Sequence, residues 1–233
     1  TRMGNIDGRK LLNRATELAP DYAAAHACIA FTHVMDYANG WSDNPEHQLQ
    51  SGLELAQRAT KMDDEEPLAH FALGVGHMWN KELDQSMAES QRCLELEPNS
   101  ADGYLALAHA LIFNSEPAAA IDRLETYINL DPLYPDLMLH FMAEARISLR
   151  QFEEAITILK QRLERNPSSE TAYALLASCY GNLDRIEEGK AALAALLKLV
   201  PDFSLDWKQR VLPFKNLSDF EIRANGLHKV GLP

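Results

Sequence analysis

Long apolar runs are missing from this chain. Its most hydrophobic stretch, "ALAALLKLV", is far short of the roughly 20 residues that a helix needs to cross a bilayer, and Lys198 interrupts it. No membrane partner is therefore expected, and no secretory leader is read at the start. Clustered positive charge is also scarce: 22 Lys and Arg stand against 34 Asp and Glu, for a net charge of -12. That balance argues against nucleic acid, whose affinity comes mostly from grouped Lys and Arg. The 3 cysteines, Cys28, Cys93 and Cys179, are far apart and form no CxxC pair, which leaves neither a zinc knuckle nor a redox motif. They read as small buried residues of a reducing compartment, so a cytoplasmic location is expected. Catalytic signatures are absent too. There is no P-loop, no GxSxG and no HExxH, and "GVGHMW" lacks the third glycine of a dinucleotide loop. An enzyme is not expected, and neither is a cofactor.

One phrase recurs instead. "LELEPNSADGYLALA" is echoed by "TELAPDYAAAHACIA", "INLDPLYPDLMLHFMA", "LERNPSSETAYALLA" and "LKLVPDFSLDW". Anchored on Pro20, Asp64, Pro98, Pro132, Pro167 and Pro201, the spacings are 44, 34, 34, 35 and 34 residues. Asp64 qualifies because "RAT" precedes both it and Pro20 at one offset, and His26 and His70 follow at another. The first interval is one period with an insertion of 10. Before each anchor, at one phase, stand Gly8, Gly52, Ser86, Ala120, Ala155 and Gly189; after the anchors, at a second phase, stand Ala30, Gly74, Ala108 and Ala177, with Ala143 fitting once one extra loop residue after Pro132 is allowed. Small residues at two fixed phases mean that two helices approach closely, since larger side chains would overpack the contact by roughly 1–3 kcal/mol. Tyr104, Leu107 and Leu111, and likewise Tyr173, Leu176 and Tyr180, keep helical spacing around them. The unit is a helical hairpin.

A hairpin repeated at 34 residues resembles the tetratricopeptide repeat, TPR, in which helices A and B pack antiparallel and successive pairs stack. The resemblance covers about residues 7 to 200 and implies an all-α fold, a right-handed α-solenoid of about five repeats plus flanking helices. Ser90 and Ala56, Tyr127 and Arg162, and Arg146 depart from its usual residue sizes. The spacing predicts a lone B-type helix near 7–18, A helices beginning near Ala23, Pro67, Ala101, Asp136 and Glu170, and B helices ending before each anchor. Pro213 should cut short the helix carrying Trp207, and Ser218 with Glu221 reads as the cap of a final helix. The expected organisation is an N-terminal half-repeat at 1–22, an array at 23–201, and capping helices and tail at 202–233. Opening on Thr1 and on half a repeat, the chain is expected to have a further domain upstream.

Two segments narrow the resemblance: the insertion "YANGWSDNPEHQLQSGLELAQRA" and the tail "PFKNLSDFEIRANGLHKVGLP". They are similar to the TPR region C-terminal to the catalytic domain of bacterial class III adenylate/guanylate cyclases and of related winged-helix regulators. That resemblance implies a regulatory or interaction module in a larger parent.

His26 and His33, like His70 and His77, share a helical face, so four imidazoles could in principle gather around a metal. They fall where the repeat places packing aromatics, and no metal is expected. The "DDEE" run at Asp63–Glu66 reads as a solvated loop before a helix N-terminus. The concave surface should instead be built by helix A residues. Phe31, Leu68, Phe71, Val75, Met78, Leu105 and Ile112, joined by Trp79 and Phe113, form its apolar part, and His109 and Glu144 lie toward the polar part, where His140, Ser178 and Gly181 also fall. Such a stripe suits an amphipathic helix or apolar peptide, from another protein or from the parent chain itself. The alternative is a self-associating structural repeat that makes homo-oligomers.

Overall fold

The computed structural model describes residues 1–233 and contains thirteen α-helices and no strand. In chain order they are α1 Arg2–Leu18, α2 Ala23–Ala38, α3 Pro45–Met62, α4 Pro67–Trp79, α5 Leu83–Leu96, α6 Ala101–Phe113 and α7 Pro117–Leu130. There follow α8 Asp136–Ser148, α9 Phe152–Arg165, α10 Glu170–Asn182, α11 Ile186–Leu199, α12 Asp206–Val211 and α13 Leu217–Lys229. The five A helices, α2, α4, α6, α8 and α10, begin at the residues that the anchor spacing predicts.

Local chemistry accounts for those starts. Ser169 accepts from the Ala172 amide at 3.3 Å, Ser100 from the Gly103 amide at 3.3 Å, and the Glu66 carboxylate from the Leu68 amide at 3.0 Å, each satisfying an amide that the first helical turn leaves free. The A helices also end alike. Lys81, Ser115, Arg150 and Asp184 all adopt positive φ, at 65°, 65°, 60° and 56°. After each, an amide bonds back across the turn: Glu82 to His77, Glu116 to Leu111, Gln151 to Arg146 and Arg185 to Tyr180, all at 2.9 Å. This is the Schellman closure, repeated at one position per hairpin. In the first hairpin Gly40 takes the left-handed place, with φ 63°. The insertion lies around it, lengthening α2 to 16 residues and α3 to 18, against 13 in α4 and 14 in α5.

Compactness divides the chain into two units, Thr1–Ala110 and Leu111–Pro233, with the boundary inside α6. In the first unit the small-residue phases meet as expected. A Cβ on Gly52 would stand 2.7 Å from Val34 Cγ2 and 3.0 Å from the Ala30 oxygen, and one on Gly74 would stand 2.9 Å from Ser90 Oγ. Ser90, where the repeat usually has a large residue, is thus matched to the close approach of α4. The second unit is centred on Leu159, Leu196, Ile147, Ala155, Ala177 and Cys179, all fully buried. There Arg162, at a usually small position, is buried with a use for its charge: it donates to Asp136 at 3.3 Å and to Thr171 at 2.9 Å.

The tail departs from its expected cap. Asn216, not Ser218, precedes α13, and its side chain donates to Ser115 Oγ at 2.8 Å instead of capping the helix. The cap is displaced because this stretch is fastened to the α6–α7 turn: the Lys215 amide donates to the Phe113 oxygen at 2.9 Å and its ammonium to Asn114 at 3.0 Å.

Candidate interaction groove

Within the first unit, α1, α2 and α4 frame an open groove of about 520 Å³. Its floor is made by Ala27 and Phe31 of α2 and by Leu68 and Phe71 of α4, residues that helical periodicity puts on the concave face. The Phe31 and Phe71 rings lie 5.2 Å apart at 41°, within the range of favourable aromatic pairs, and both remain partly exposed. The wall toward α1 is formed by Gly4, Asn5 and Leu12. α1 is held on α2 by Arg9, which donates to Asp36 at 2.6 Å and to the Thr32 hydroxyl at 2.7 Å, and by Asn5, which donates to Asp36 at 2.8 Å. Asp102, in the first turn of α6, is the only carboxylate lining the groove. Burial, followed by the negative Glu97, raises its pKa. Cys28 lies in the same lining; its thiol is raised chiefly by burial, then by Glu66 and Asp102.

Of the residues that the sequence marks for the concave stripe, Phe31, Leu68 and Phe71 come together here. Val75, Met78, Trp79 and Leu105 are buried in the packing of the first unit. Trp79 stands edge-on between Tyr37, at 6.3 Å, and His109, at 6.2 Å, which is partly exposed. Helical phase alone does not separate a residue facing the groove from an equally apolar neighbour one step around the helix. Cys28 and the α1 wall lie outside the marked set, whereas helix A phase does put Asp102 on the concave surface.

In the second unit the corresponding positions are covered by the chain's own tail. Ile112 and Phe113 are fully buried, and Phe113 meets the Phe214 ring edge-on at 4.7 Å. Glu144 is buried beside Arg223 of α13, which donates to the Glu144 carbonyl oxygen at 3.3 Å and stacks over Phe214 at 4.7 Å. Ser178 and Asn182 of α10 donate to the carbonyl oxygens of Arg223 and Ile222, both at 2.9 Å. His140 of α8 is enclosed among these charges. Burial and then Arg162, Arg223 and Lys208 push its pKa well below the usual histidine value, against the opposing Asp136. Its ring is neutral, so the 3.7 Å contact with Glu144 is not an ion pair.

The paired histidines of the first unit serve the hairpins. His26 Nε2 meets the Pro20 oxygen at 2.8 Å, and His70 Nε2 meets the Asp64 oxygen at 3.0 Å, which explains their common offset from the anchors. His33 joins Gln48 of α3, and His70 joins Glu89 of α5, each at 2.6 Å. No three His, Cys, Asp or Glu side chains are grouped so as to hold a metal ion. Burial raises Cys93 to about 11 and Cys179 to about 12, which makes both poor nucleophiles. No helix is long and apolar enough to cross a membrane.

Comparison with known proteins agrees with this geometry. The tetratricopeptide repeat family profile matches residues 114–179 and 146–209. A solved thermophilic TPR protein of Thermus thermophilus aligns over 81% of this chain and 95% of its own, with 20% identity and a TM-score of 0.64. PilW, a type IV pilus biogenesis factor, aligns over 88% and 90% with 17% identity and a TM-score of 0.65. The fold class is therefore all-α, with the helical hairpins of TPR solenoids. A curated Rhizobium meliloti protein that bears an adenylate cyclase name is 33% identical over 84 residues, which are 36% of this chain and 14% of that protein.

Proposed function

We propose that the chain is a non-catalytic protein-interaction module that receives a helix or apolar peptide segment in the groove of its first unit. The observation that carries this reading is the partly exposed Phe31–Phe71 pair in an open apolar groove, whereas the corresponding residues of the second unit are covered by α13. Rings left at an open surface retain apolar area, and removing it from water is worth about 25 cal/mol per Å². The match to a cyclase-named protein supports a place for this module in the regulatory part of a larger cyclase-like or transcription-regulating protein.

Panning a random-peptide phage library on the immobilised chain tests the groove. Recovered peptides are expected to be apolar on one face and to lose binding to Phe71→Ser while the variant keeps its helical circular dichroism. Peptides that bind wild type and variant alike would remove the groove from the reading. Self-association is the second reading, favoured by Leu130, Leu133 and Leu137, which lie exposed around the α7–α8 turn. Light scattering over a range of concentrations decides it, since a monomer throughout would exclude it.

A further inference from the structure

α13 does not continue the stack as a sixth A helix. α4, α8 and α10 each pack on the B helix before them, whereas α13 packs mainly on α10 and reaches α8. Its first turn is fastened to the α6–α7 turn, where Ser115 donates to Asp219 at 2.7 Å, and its last to the α10–α11 turn, where Lys229 donates to Asp184 at 2.7 Å. Between these points Arg223 donates to Ser148 of α8 at 3.3 Å, and Gly226 lies against Gly181 of α10. The helix is a strap laid across the ends of three A helices.

This strap has little helicity of its own. It is 13 residues long, with Asn225 and Gly226 past its middle, and its Asn216 cap makes no side-chain bond to a helix amide. An isolated helix of that length is marginal even when rich in alanine, and glycine weakens it further, so α13 is helical because it is docked. Docking also buries charge that is incompletely satisfied. Arg223 is 5% exposed, its Nε has no hydrogen-bond partner, and it stands with Arg162 and Lys208 around the neutral His140, whose Nδ1 is likewise without one. Taking such a cation out of water opposes the apolar contacts of Phe220, Ile222, Leu227 and Val230 that hold the helix down. Residues 200–216, which hold only the six-residue α12, link it to α11, so its release asks for no change within α8 to α11.

We infer that α13 is an autoinhibitory strap. It undocks as one piece while α8 to α11 stay folded, and the surface it uncovers receives a helix that carries an arginine three residues before a glycine, as Arg223 precedes Gly226. Phe31 and Phe71 take no part in this site, so the reading of the first unit stands or falls separately.

The test uses the full chain, as wild type and as two variants that loosen α13 without altering the surface beneath it, Gly226→Ala and Arg223→Glu. The probe is a fluorescent peptide with the sequence of residues 212–233. In wild type, amide exchange along 217–229 is expected to be at least about tenfold faster than in α8 and α10. The peptide should bind each variant at least about tenfold more tightly than wild type, where the helix in cis competes at high effective concentration. Peptides with Gly226→Leu or Arg223→Gln should bind the variants at least about tenfold more weakly than the unaltered peptide. An α13 that stays protected in both variants, or whose release takes the protection of α8 and α10 with it, belongs to the cooperative core and overturns the inference. Equal binding to wild type and variants, failure of the peptide to bind any of them, or undiminished binding of the altered peptides overturns it too. Concentration-dependent dimers of wild type that Arg223→Glu abolishes would give the surface to α13 of a second copy and overturn the strap in cis.

Discussion

Gly226 of α13 lies against Gly181 of α10 so closely that neither position has room for a side chain. A Cβ on Gly181 would run into the Gly226 carbonyl, and one on Gly226 would run into the Ser178 carbonyl. Neither obstacle is a flexible side-chain end, so the contact cannot relax without moving a helix. Gly226→Ala is expected to cost at least about 1–3 kcal/mol and to release α13 from α10. Hydrogen exchange should show protection lost along 217–229 first; unchanged protection there would mean that the two backbones do not touch.

The enclosure of His140 makes the second unit sensitive to acid. The groups facing the ring are Arg162 from α9, Lys208 from α12, Arg223 from α13, and Asp136 and Glu144 from α8. The folded-state pKa lies below that of the unfolded chain, about 6.5, so the unfolded state binds more protons below that value. Stability is complete above about pH 6.5 and falls as the pH drops below it. Denaturant midpoints measured from pH 7.5 downward should decline in wild type, with a shallower slope in His140→Leu. Identical slopes would show that the ring does not carry this dependence.

Arg150 holds a left-handed backbone conformation at the Schellman turn of α8, without a side-chain hydrogen bond that would compensate. Such a conformation costs a residue with a Cβ roughly 1–2 kcal/mol, and glycine almost nothing. Part of that gain is offset by the greater freedom of glycine in the unfolded chain. Arg150→Gly is expected to stabilise the protein by roughly 0.5–1 kcal/mol in urea unfolding.

Cysteine labelling reports on the groove directly. Cys28 is partly exposed in the groove lining, whereas Cys93 and Cys179 are buried with thiols near 11 and 12. A maleimide should therefore modify Cys28 alone in the native protein, slowly because its thiol is also raised. A peptide seated in the groove should slow it further; modification of Cys93 or Cys179 at a comparable rate would require the helices around them to separate.

The repeat was legible because its signals are local. A proline or an acidic turn and a small residue at a fixed phase each act within one hairpin, so their spacing in the sequence is their spacing in space. Even the common offset of His26 and His70 is a local matter, a ring reaching back six residues to the anchor carbonyl. The groove was legible in part. Phe31, Leu68 and Phe71 line it, while Val75, Met78, Trp79 and Leu105 are buried, because both faces of these helices are apolar and phase does not say which one a neighbour covers.

By itself, the sequence determined the hairpins, their period and the starts of the A helices, through helical periodicity and cap chemistry. Only the tertiary structure decided which concave residues are covered. α13 reaches Ser178, Gly181 and Glu144 from 45 or more residues away, and the contact depends on Gly226, which no local pattern marks, lying against Gly181.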